Sequence, residues 1–540
     1  VTFTSNGSIS ATVTDGTNTL TANATIDKVD SIPPSITAVT ANNITATEAN
    51  INVTSTENSS GIVKYLYRYS NGTLPSTWIE KPSTATTIDI PLTNLTQLTA
   101  YTFEVKVVDK ADNESEVNRL QFKTLEEPKF KPVIAAGLTP IKWNSSNDVV
   151  PTTDTDTDWF DYQNKKWANA QTADGSMWTW IPRYAYRIIY YDAAVTDNVG
   201  SGNIVGYSDN RGLVDVNGAP STTFDRLNGR VEVVFLGVDN FKYYNGTSYV
   251  GDVRLNDNTN NPNHYVVHPA FSAVRRTGYT KKDGNFGNTA EIPGFWVSKF
   301  EMGPNSVSKP NISSQRSMII SNMFTLGRNL ATARGISGGD SNAMTNTQWG
   351  AIAYLTKALG REPDVNTTTG YITGGGNYIV NKNQSTTGNT TGVYDMSGGG
   401  WDTMSSYMVD QNSGEMDNLI KNKDTKYVDV YAKGSNPINQ NLNYQANADK
   451  YGDAIYEVSS NGAANPGGWS GDSSYFSHSI KPVFYRGEFY SCGYTTTGIF
   501  SFSAHTGELH ANPCWRRGLY FVTSVLFLSV YSQLCKFVLI

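Results

Sequence analysis

Short runs in which apolar and polar residues alternate dominate the first 124 residues of the chain. Two such runs within residues 8–27 flank the dipeptide Asp15-Gly16, a pair that favours a tight turn between antiparallel strands. Further runs recur across residues 35–124 at intervals of roughly 8–12 residues, the spacing typical of a β-sandwich. The pattern therefore predicts a strand hairpin, a break at Pro33-Pro34 and then a sandwich.

The pattern changes after a Pro- and charge-bearing run at 126–132, which indicates a linker that we place at residues 128–136. Beyond it tryptophan becomes frequent, and tracts of Gly, Asn, Ser and Thr such as 365–392 separate short apolar runs. Residues 345–360 have apolar positions near helical spacing, a Thr at the start and a Gly at the end, so we predict a helix there. Few other helices are expected.

Composition supports a β-rich and loop-rich chain, because only 17 % of the 540 residues are charged, whereas 47 are Gly and 31 are Tyr. The formal net charge is −6 and basic residues do not cluster, so nucleic acid is not an expected partner. Cys492, Cys514 and Cys535 all lie near the end of the sequence, so no disulfide framework supports the rest. The five histidines lack the spacing of a zinc site.

The segment 92–115, LTNLTQLTAYTFEVKVVDKADNES, resembles the fibronectin type III family, with Leu98 and Tyr101 placed like its tyrosine-corner pair. We assign residues 31–127 to this sandwich. Residues 1–30 resemble the last strands of a bacterial immunoglobulin-like module. Because the strand pattern is already under way at the first residue, we expect the sequence to be a fragment of a longer chain.

Six segments within residues 137–518 match, in order, the formylglycine-generating-enzyme (sulfatase-modifying-factor) version of the C-type lectin fold. They are SMWTWIPRYAYRI (176–188), GFWVSKFEM (294–302), MTNTQWGAIAYL (344–355), GVYDMSGGGWD (392–402), YGDAIYEVSS (451–460) and FYRGEFYSCG (484–493). Within that superfamily, the chain most resembles the variable proteins of diversity-generating retroelements in gut-type Gram-positive bacteria and their phages. There, an Arg-Gly-containing strand opens a hypervariable terminal stretch. The resemblance implies a mainly β protein that ends in an α+β, C-type-lectin-like domain.

This resemblance places a variable region at about residues 484–517. Four apolar residues are predicted to fix it to the core: Phe484, Ile499, Phe500 and Phe502. The intervening residues mix aromatic and small polar side chains, a composition typical of binding surfaces because rigid rings supply contact area and short polar groups adapt their hydrogen bonds. We predict that the ligand contacts Phe489, Ser491, Cys492, Tyr494, Thr495, Thr496, Ser503, His505, Glu508, His510, Asn512 and Trp515.

The family's enzymes oxidise a substrate cysteine by means of two active-site cysteines. Cys492 lies near the first of these positions, but Thr497 stands at the second, and a lone thiolate does not supply the coordination that Cu(I) needs. We therefore expect a binding protein and not an enzyme. A formylglycine-generating-type oxidase or other enzyme of this fold, and a non-diversified structural surface protein, are the alternatives.

The chain departs from the family pattern at Glu488, which replaces a second Gly, and at 514–521, where CWRRGLYF replaces a Phe-Arg-Pro ending. A further departure affects calcium, which the enzyme relatives carry. Asp395 and Asp402 offer oxygen ligands, but Gly399-Gly400-Trp401-Asp402 has replaced Asn-Val-Trp-Glu, which removes an amide and shortens a carboxylate. A Gly-rich turn that packs Trp401 into the core is favoured over a calcium site, and we predict no cofactor.

The apolar tail at 519–540 is compatible with three origins: a terminal strand or core segment, residues appended by a shifted reading frame, and a membrane span flanked by Arg516-Arg517. We favour them in that order. The sandwich modules that precede the terminal domain are expected to form a stalk that carries it. We therefore expect an extracellular protein of a bacterial cell surface or phage virion that binds a protein or glycan ligand on a cell or phage surface.

Overall fold

The computed structural model describes residues 6–521 with the exception of 27–28, 126–130, 163, 192–203, 210–211, 216–226, 228, 237–242, 245–248, 251–264, 272–291, 368–369, 410–419, 422 and 492–495. The chain forms two compact units, the first comprising Val1–Pro128 and the second most of the remainder.

Strands make up the regular structure described in the first unit. They are β1 (Gly7–Thr14), β2 (Thr19–Ile26), β3 (Ser35–Asn42), β4 (Ala49–Thr56), β5 (Ile62–Ser70), β6 (Ile79–Pro82), β7 (Thr87–Leu92), β8 (Ala100–Asp109) and β9 (Asn118–Lys123). Strands β1 and β2 form a hairpin, as their pattern predicts. Asp15 Oδ1 accepts hydrogen bonds from the backbone N–H groups of Thr17 (2.9 Å) and Asn18 (2.7 Å), and Gly16 supplies the left-handed φ of +93° that the turn requires.

The other strands of this unit form a β-sandwich. One sheet has the order β3-β4-β7, and the other has the order β6-β5-β8-β9. Alternate residues of each sheet enter one core, as Ile51 and Val53 of β4 and Phe103 and Val105 of β8 illustrate. The period-2 alternation that predicted these strands is therefore the alternation between a core-facing and a solvent-facing side.

The predicted tyrosine corner is half correct. The Tyr101 hydroxyl accepts a hydrogen bond from the backbone N–H of Thr96 at 2.8 Å, the contact that defines such a corner. Leu98, however, is 45 % exposed and has a φ of +53°, so it does not pack with Tyr101 in the core. Leu95 takes the buried position, and Leu98 lies in the turn that leads into β8.

Short strands and a few helices make up the rest of the chain. The strands are β10 (Thr139–Trp143), β11 (Val149–Pro151), β12 (Asn169–Gln171), β13 (Met177–Pro182), β14 (Tyr184–Tyr191), β15 (Ile204–Asp209), β16 (Gly212–Asp215), β17 (Gly229–Phe235), β18 (Tyr243–Tyr244), β19 (Tyr249–Val250), β20 (Val266–Val267), β21 (Gly294–Ser298), β22 (Gly339–Ala343), β23 (Trp401–Thr403), β24 (Ser406–Met408), β25 (Asp429–Tyr431), β26 (Ala463–Ala464), β27 (Ser474–Tyr475), β28 (Val483–Arg486), β29 (Phe502–His505), β30 (Pro513–Cys514) and β31 (Arg517–Phe521). The α-helices are α1 (Ile320–Arg328), α2 (Leu330–Ala333), α3 (Asn346–Ala358) and α4 (Gln440–Ala446).

Helix α3 confirms the helix prediction. Thr345 is its N-cap: its side chain accepts a hydrogen bond from the Gln348 N–H, and the Gln348 side chain accepts one from the Thr345 N–H. Gly360 follows the helix with a φ of +67°, a conformation that costs glycine little. The helix is buried from Asn346 to Thr356, so it forms part of the core of the second unit.

A seven-stranded sheet of order β11-β10-β12-β13-β21-β31-β22 brings together strands that are far apart in sequence. Strand β31 pairs on one side with β21 and on the other with β22, and Leu519 and Tyr520 within it are fully buried. The domain boundary predicted at residue 518 is therefore wrong, because residues 519–521 complete an inner strand. The remainder of the tail, 522–540, lies outside the described residues.

A six-stranded sheet of order β26-β27-β29-β28-β23-β30 contains the predicted variable region. The protein is thus mainly β with few helices, in agreement with the predicted class. In the part of the chain that the structure describes, no helix has the length and apolarity needed to cross a membrane.

Candidate functional site

The segment after residue 483 is fixed to the protein by strands β28, β29 and β30. Tyr485 of β28 pairs with Ser503 of β29, and Trp401 of β23 pairs with Pro513 of β30. The four predicted apolar residues, Phe484, Ile499, Phe500 and Phe502, are all buried, as expected. Exposed side chains of this segment therefore project from a fixed framework.

The twelve residues predicted to contact a ligand fall into three groups. Seven are exposed or half-exposed: Phe489, Ser491, Thr496, Ser503, Glu508, His510 and Asn512. Cys492, Tyr494 and Thr495 lie outside the described residues. Trp515 and His505 are buried, and for these two the prediction of an exposed ligand contact is wrong.

Trp515 lies two residues before the inner strand β31 and is fully buried. It belongs to a hydrophobic cluster with Met302, Met323 and Ala343. His505 is 8 % exposed and stacks on Tyr485 with 4.1 Å between ring centroids. Its Nδ1 accepts a hydrogen bond from the Gly507 N–H at 2.9 Å, and burial lowers the pKa of His505 to about 4. Both side chains therefore pack inside the protein and do not add to its exposed surface.

Five aromatic side chains form a surface that we call the aromatic patch. Trp401 opens strand β23, and the other four, Tyr371, Phe489, Tyr490 and His510, lie in loops. Trp401 lies 4.8 Å from Phe489 and 6.2 Å from His510 between ring centroids. Tyr371 and Tyr490 meet edge to face at 4.9 Å. His510 is exposed and the other four are half-buried, so every ring of the patch keeps part of its surface open to solvent.

Polar groups hold the patch in place. The Tyr371 hydroxyl donates to Asn512 Oδ1 at 2.6 Å. The Arg316 guanidinium lies 4.0 Å from the Tyr371 ring centroid and donates to the Ala511 carbonyl oxygen at 2.9 Å. A cation over an aromatic ring is stabilised by the ring quadrupole, so Arg316 restrains the ring and adds a positive charge to the surface.

The sequence predicted only part of this patch. Phe489, His510 and the adjoining Asn512 were predicted, whereas Arg316, Tyr371 and Tyr490 were not. Trp401 was expected in the core, but it is half-exposed in the inner strand β23, which lies between β28 and β30. No periodic pattern connects these residues, and the one available signal was their aromatic or arginine side chains in Gly- and Asn-rich loops.

Beneath the patch lies a buried acidic cluster of Glu301, Asp395 and Asp402. The Arg516 Nε donates to Asp402 Oδ2 at 2.6 Å, and Asp395 accepts hydrogen bonds from the Gly374 N–H at 3.0 Å and the Asn366 side chain at 2.9 Å. Burial raises the pKa of Asp395 to about 6 and that of Glu301 well above its usual range. The arrangement is an internal charge network with a single guanidinium at its centre.

This network tests the calcium expectation. Ligand atoms of Glu301, Asp402 and Cys514 lie within 4.8 Å of one another, close enough to hold a cation. Calcium, however, takes six to eight oxygen ligands, and this set contains a thiol. Burial raises the pKa of the Cys514 thiol well above its usual range, and Arg516 already supplies a positive charge to Asp402. Asp395 is not a member of this set, so only two carboxyl groups remain as oxygen donors. The donors therefore do not fit calcium.

Among known proteins, similarity is found to solved structures of β-sandwich domains. No family model matches the chain, and no curated protein matches it. Similar solved structures include the third fibronectin III domain of human KIAA0343 protein (17 % identity, 17 % of this chain, 82 % of that chain, TM-score 0.15). They also include a fibronectin type III domain of human collagen XX (19 % identity, 18 % of this chain, 100 % of that chain, TM-score 0.14). A redesigned β-sandwich protein is similar at 21 % identity over 17 % of this chain and 97 % of that chain, with a TM-score of 0.15.

The three- and four-stranded sheets of the first unit define the class of the chain: a mainly β protein that contains a β-sandwich, the architecture of fibronectin type III and immunoglobulin-like domains.

Proposed function

We propose that the chain is a ligand-binding protein of a bacterial surface or phage particle, which recognises a protein or glycan through the aromatic patch and the adjoining residues 489–512. The patch carries the proposal because it combines half-exposed rings, an arginine and small polar groups on one surface. Aromatic residues and arginine dominate the energetic centres of protein interfaces, where rings add contact area at a low cost in conformational entropy.

The proposal includes the finer family assignment. The second unit is a C-type-lectin-like domain of the formylglycine-generating-enzyme type, and residues 484–517 are its variable region. The burial of the four apolar residues supports this assignment, because exposed side chains between them can change without altering the core. The DNA that encodes the chain supplies an independent test: a reverse transcriptase gene and an invariant copy of codons 484–515 should lie beside it. Neighbouring tail genes would indicate a phage protein, and secretion or sortase genes a bacterial one.

Binding is tested directly with the full chain. The labelled protein is applied to a glycan array and to intact bacterial cells of several species, and the affinity for the best target is measured. Phe489→Ala, His510→Ala and Arg316→Ala should each weaken that affinity about tenfold or more.

Two exposed apolar residues outside the patch provide matched controls. Val380 is 73 % exposed and Ile438 is 58 % exposed, so Val380→Ala and Ile438→Ala should leave both folding and affinity unchanged. Equal affinities for the patch variants and these controls would disprove a binding role of the patch.

We propose a spacer role for the sandwich, since the patch and its supporting contacts all lie in the second unit. Deleting residues 1–127 should then leave the affinity for the same target within a factor of a few. A large loss would assign part of the binding site to the first unit.

The proposal also excludes catalysis by a copper–thiolate centre. Thr497 stands at the second cysteine position, and its hydroxyl donates to Glu488 Oε2 at 3.4 Å. A peptide containing Cys-x-Pro-x-Arg should therefore remain unmodified when it is incubated with the protein, Cu(I) and oxygen. Aldehyde formation above that of a Cys492→Ser variant would instead support the oxidase.

A further inference from the structure

A cavity of about 600 Å³ lies in the second unit, between the segments 362–367, 470–472 and 497–500. This volume is within the range of pockets that take small molecules. Residues 497–500 belong to the variable region, so one wall of the cavity is formed by the segment to which ligand binding is attributed above.

The ionisable groups on its wall are all carboxyl groups. Glu362, Asp364 and Asp472 line the cavity, whereas the described residues that line it include no Lys, Arg or His. Lys357 pairs with Glu362 from outside the lining, and Ser470 Oγ donates to the same carboxylate at 2.7 Å. A cation that entered the cavity would therefore meet carboxyl groups without a competing positive charge on the wall.

Two buried polar side chains at the cavity have oxygens that lack a partner. Ser397 is 1 % exposed and Gln384 is 7 % exposed, and both line the cavity. Within the described residues, Ser397 Oγ and Gln384 Oε1 have no hydrogen-bond partner. Leaving a buried polar atom unsatisfied costs about 1–3 kcal/mol, so these oxygens are available to accept a hydrogen bond from a bound polar group.

Asp472 is the central carboxyl group. It is 3 % exposed, and its Oδ2 accepts a hydrogen bond from the Phe500 N–H at 2.8 Å. Gly498 passes so close that a β-carbon there would lie 2.2 Å from Asp472 Oδ1, so only glycine fits at this position. Burial raises the pKa of Asp472 to about 8, against the lowering effect of the Phe500 hydrogen bond. Glu362 and Glu488 also raise this pKa, and Arg486 lowers it.

We propose that this cavity binds the alkylammonium group of a lysine side chain of the ligand, with Asp472 as its counter-ion. The inference rests on the proposed function and specifies the chemistry of the ligand. The ammonium group would donate to Asp472, Ser397 and Gln384. Pro363, Ile499 and Phe500 would cover the methylene groups, because lysine buries its apolar stem while its charge seeks polar partners.

The proposal is tested with small probes and the full chain. Hexylamine and Nα-acetyl-lysine methylamide carry the ammonium group. In 1-hexanol a neutral hydroxyl replaces it at the same chain length, and the Nε-acetylated lysine compound keeps the methylene stem but converts the ammonium group to a neutral amide. Calorimetric titration should show that each amine binds about tenfold or more tightly than its neutral counterpart. Equal binding of amine and neutral probe, or binding of neither, would overturn the proposal. Binding of hexylamine without the lysine compound would overturn its assignment to a protein side chain.

The variant Asp472→Asn keeps an oxygen for the Phe500 hydrogen bond and removes the charge, so it should reduce amine affinity about tenfold. Asp112→Asn is its control, because Asp112 is exposed in the first unit and its φ of +64° suits asparagine. Should Asp472→Asn fail to fold, the exposed Asp364→Asn removes a charge of the same cavity and should also weaken amine binding. Unchanged affinity in a folded Asp472→Asn variant would overturn the proposal.

The pH dependence provides a readout that a structural role of Asp472 would not produce. Below about pH 8 the free Asp472 carboxyl group is protonated, and an ammonium partner would ionise it, so amine binding should release a proton. The affinity should then rise by up to about tenfold per pH unit as the pH approaches 8, and Asp472→Asn should abolish the rise.

Failure of this inference can be distinguished from failure of the proposed function. If the patch variants lose the cell or glycan target while hexylamine and hexanol bind equally, the cavity inference alone fails. If hexylamine binds through Asp472 while the patch variants bind every target normally, the proposed function alone fails.

Discussion

Arg516 Nε donates a hydrogen bond to Asp402 Oδ2 at 2.6 Å, and both side chains are removed from solvent, with 0 % and 1 % of their surface exposed. The pair connects the residue before β31 to the strand β23. It also places the guanidinium within electrostatic reach of Glu301 and Asp395. The cluster therefore contains three carboxyl groups and depends on one arginine for its positive charge.

Removing this arginine should be strongly destabilising. Arg516→Met would leave buried carboxyl groups without a counter-charge, and breaking a buried pair from one side costs about 3–5 kcal/mol. Lys166→Met is a matched control, because Lys166 pairs with Asp158, which is 68 % exposed, and surface pairs contribute about 1 kcal/mol or less. Urea denaturation of both variants measures the difference. Similar losses of unfolding free energy would show that burial does not decide the strength of these pairs.

Asp429 should make stability depend on pH. It accepts hydrogen bonds from the N–H and hydroxyl of Thr347 at the start of α3. Burial raises its pKa from 3.8 to about 6, against the lowering effects of Thr347 and Lys450. Because the folded-state pKa lies above the unfolded value, the contribution is full below about pH 4 and is lost as the pH rises through 6.

The shift corresponds to about 3 kcal/mol between pH 4 and pH 7. Asp429→Asn cannot titrate, so its stability deficit relative to the wild type should shrink by about this amount over that range. Denaturation at several pH values measures it, and a constant deficit would contradict the prediction.

Trp515 and Phe489 should separate folding from binding. Trp515 is fully buried, and Trp→Ala at such a position costs about 3–5 kcal/mol of stability. Phe489→Ala, on the half-exposed patch, should cost about 1 kcal/mol or less while weakening ligand binding. Denaturation and binding measured on the same preparations decide this. If Trp515→Ala were stable but no longer bound the ligand, Trp515 would be a ligand contact and the prediction would be wrong.

The end of β31 should be indispensable. A stop codon after Gly518 removes Leu519, Tyr520 and Phe521, including the hydrogen bond from the Tyr520 hydroxyl to Asp340 Oδ2 at 2.7 Å. An inner strand cannot lose buried residues without exposing its neighbours, so this product should be insoluble or unfolded. A stop codon after Phe521 keeps the strand and is the control. Soluble, cooperatively unfolding protein ending at 518 would contradict the strand pairing described above.

The sequence correctly predicted those features that are stabilised by contacts between residues close to each other in the chain. Helix α3 follows from its Thr345 cap, and the hairpin turn follows from Asp15 and Gly16, because the stabilising hydrogen bonds join residues a few positions apart. The leucine of the tyrosine corner was predicted wrongly because its burial depends on contacts between distant parts of the chain. Leu95 and Leu98 are equally plausible core residues in a β-sandwich sequence, and only the fold decides which of them is buried.

The patch required contacts that no local pattern encodes. Arg316, Tyr371, Trp401 and Phe489 come from separate loops and strands, and their proximity depends on the pairing of β23 with β28 and β30. Trp515 was misplaced because its neighbours in sequence suggested a variable surface, whereas packing against Met302, Met323 and Ala343 buries it. The amino-acid composition predicted a surface of aromatic and small polar side chains. The order of the strands determines which residues belong to it.

Glu488 has a further consequence for protein engineering. It adopts a left-handed φ of +50°, and its carboxylate accepts hydrogen bonds from the hydroxyls of Ser473 and Thr497. The positions immediately before and after residues 489–496 are thereby tied to each other. When the ends of a loop are fixed, doubling its length raises the entropic cost of closing it by only about 0.6 kcal/mol. The stretch 489–496 is therefore the natural insertion point for a randomised peptide library, in the way that antibody scaffolds carry their hypervariable loops.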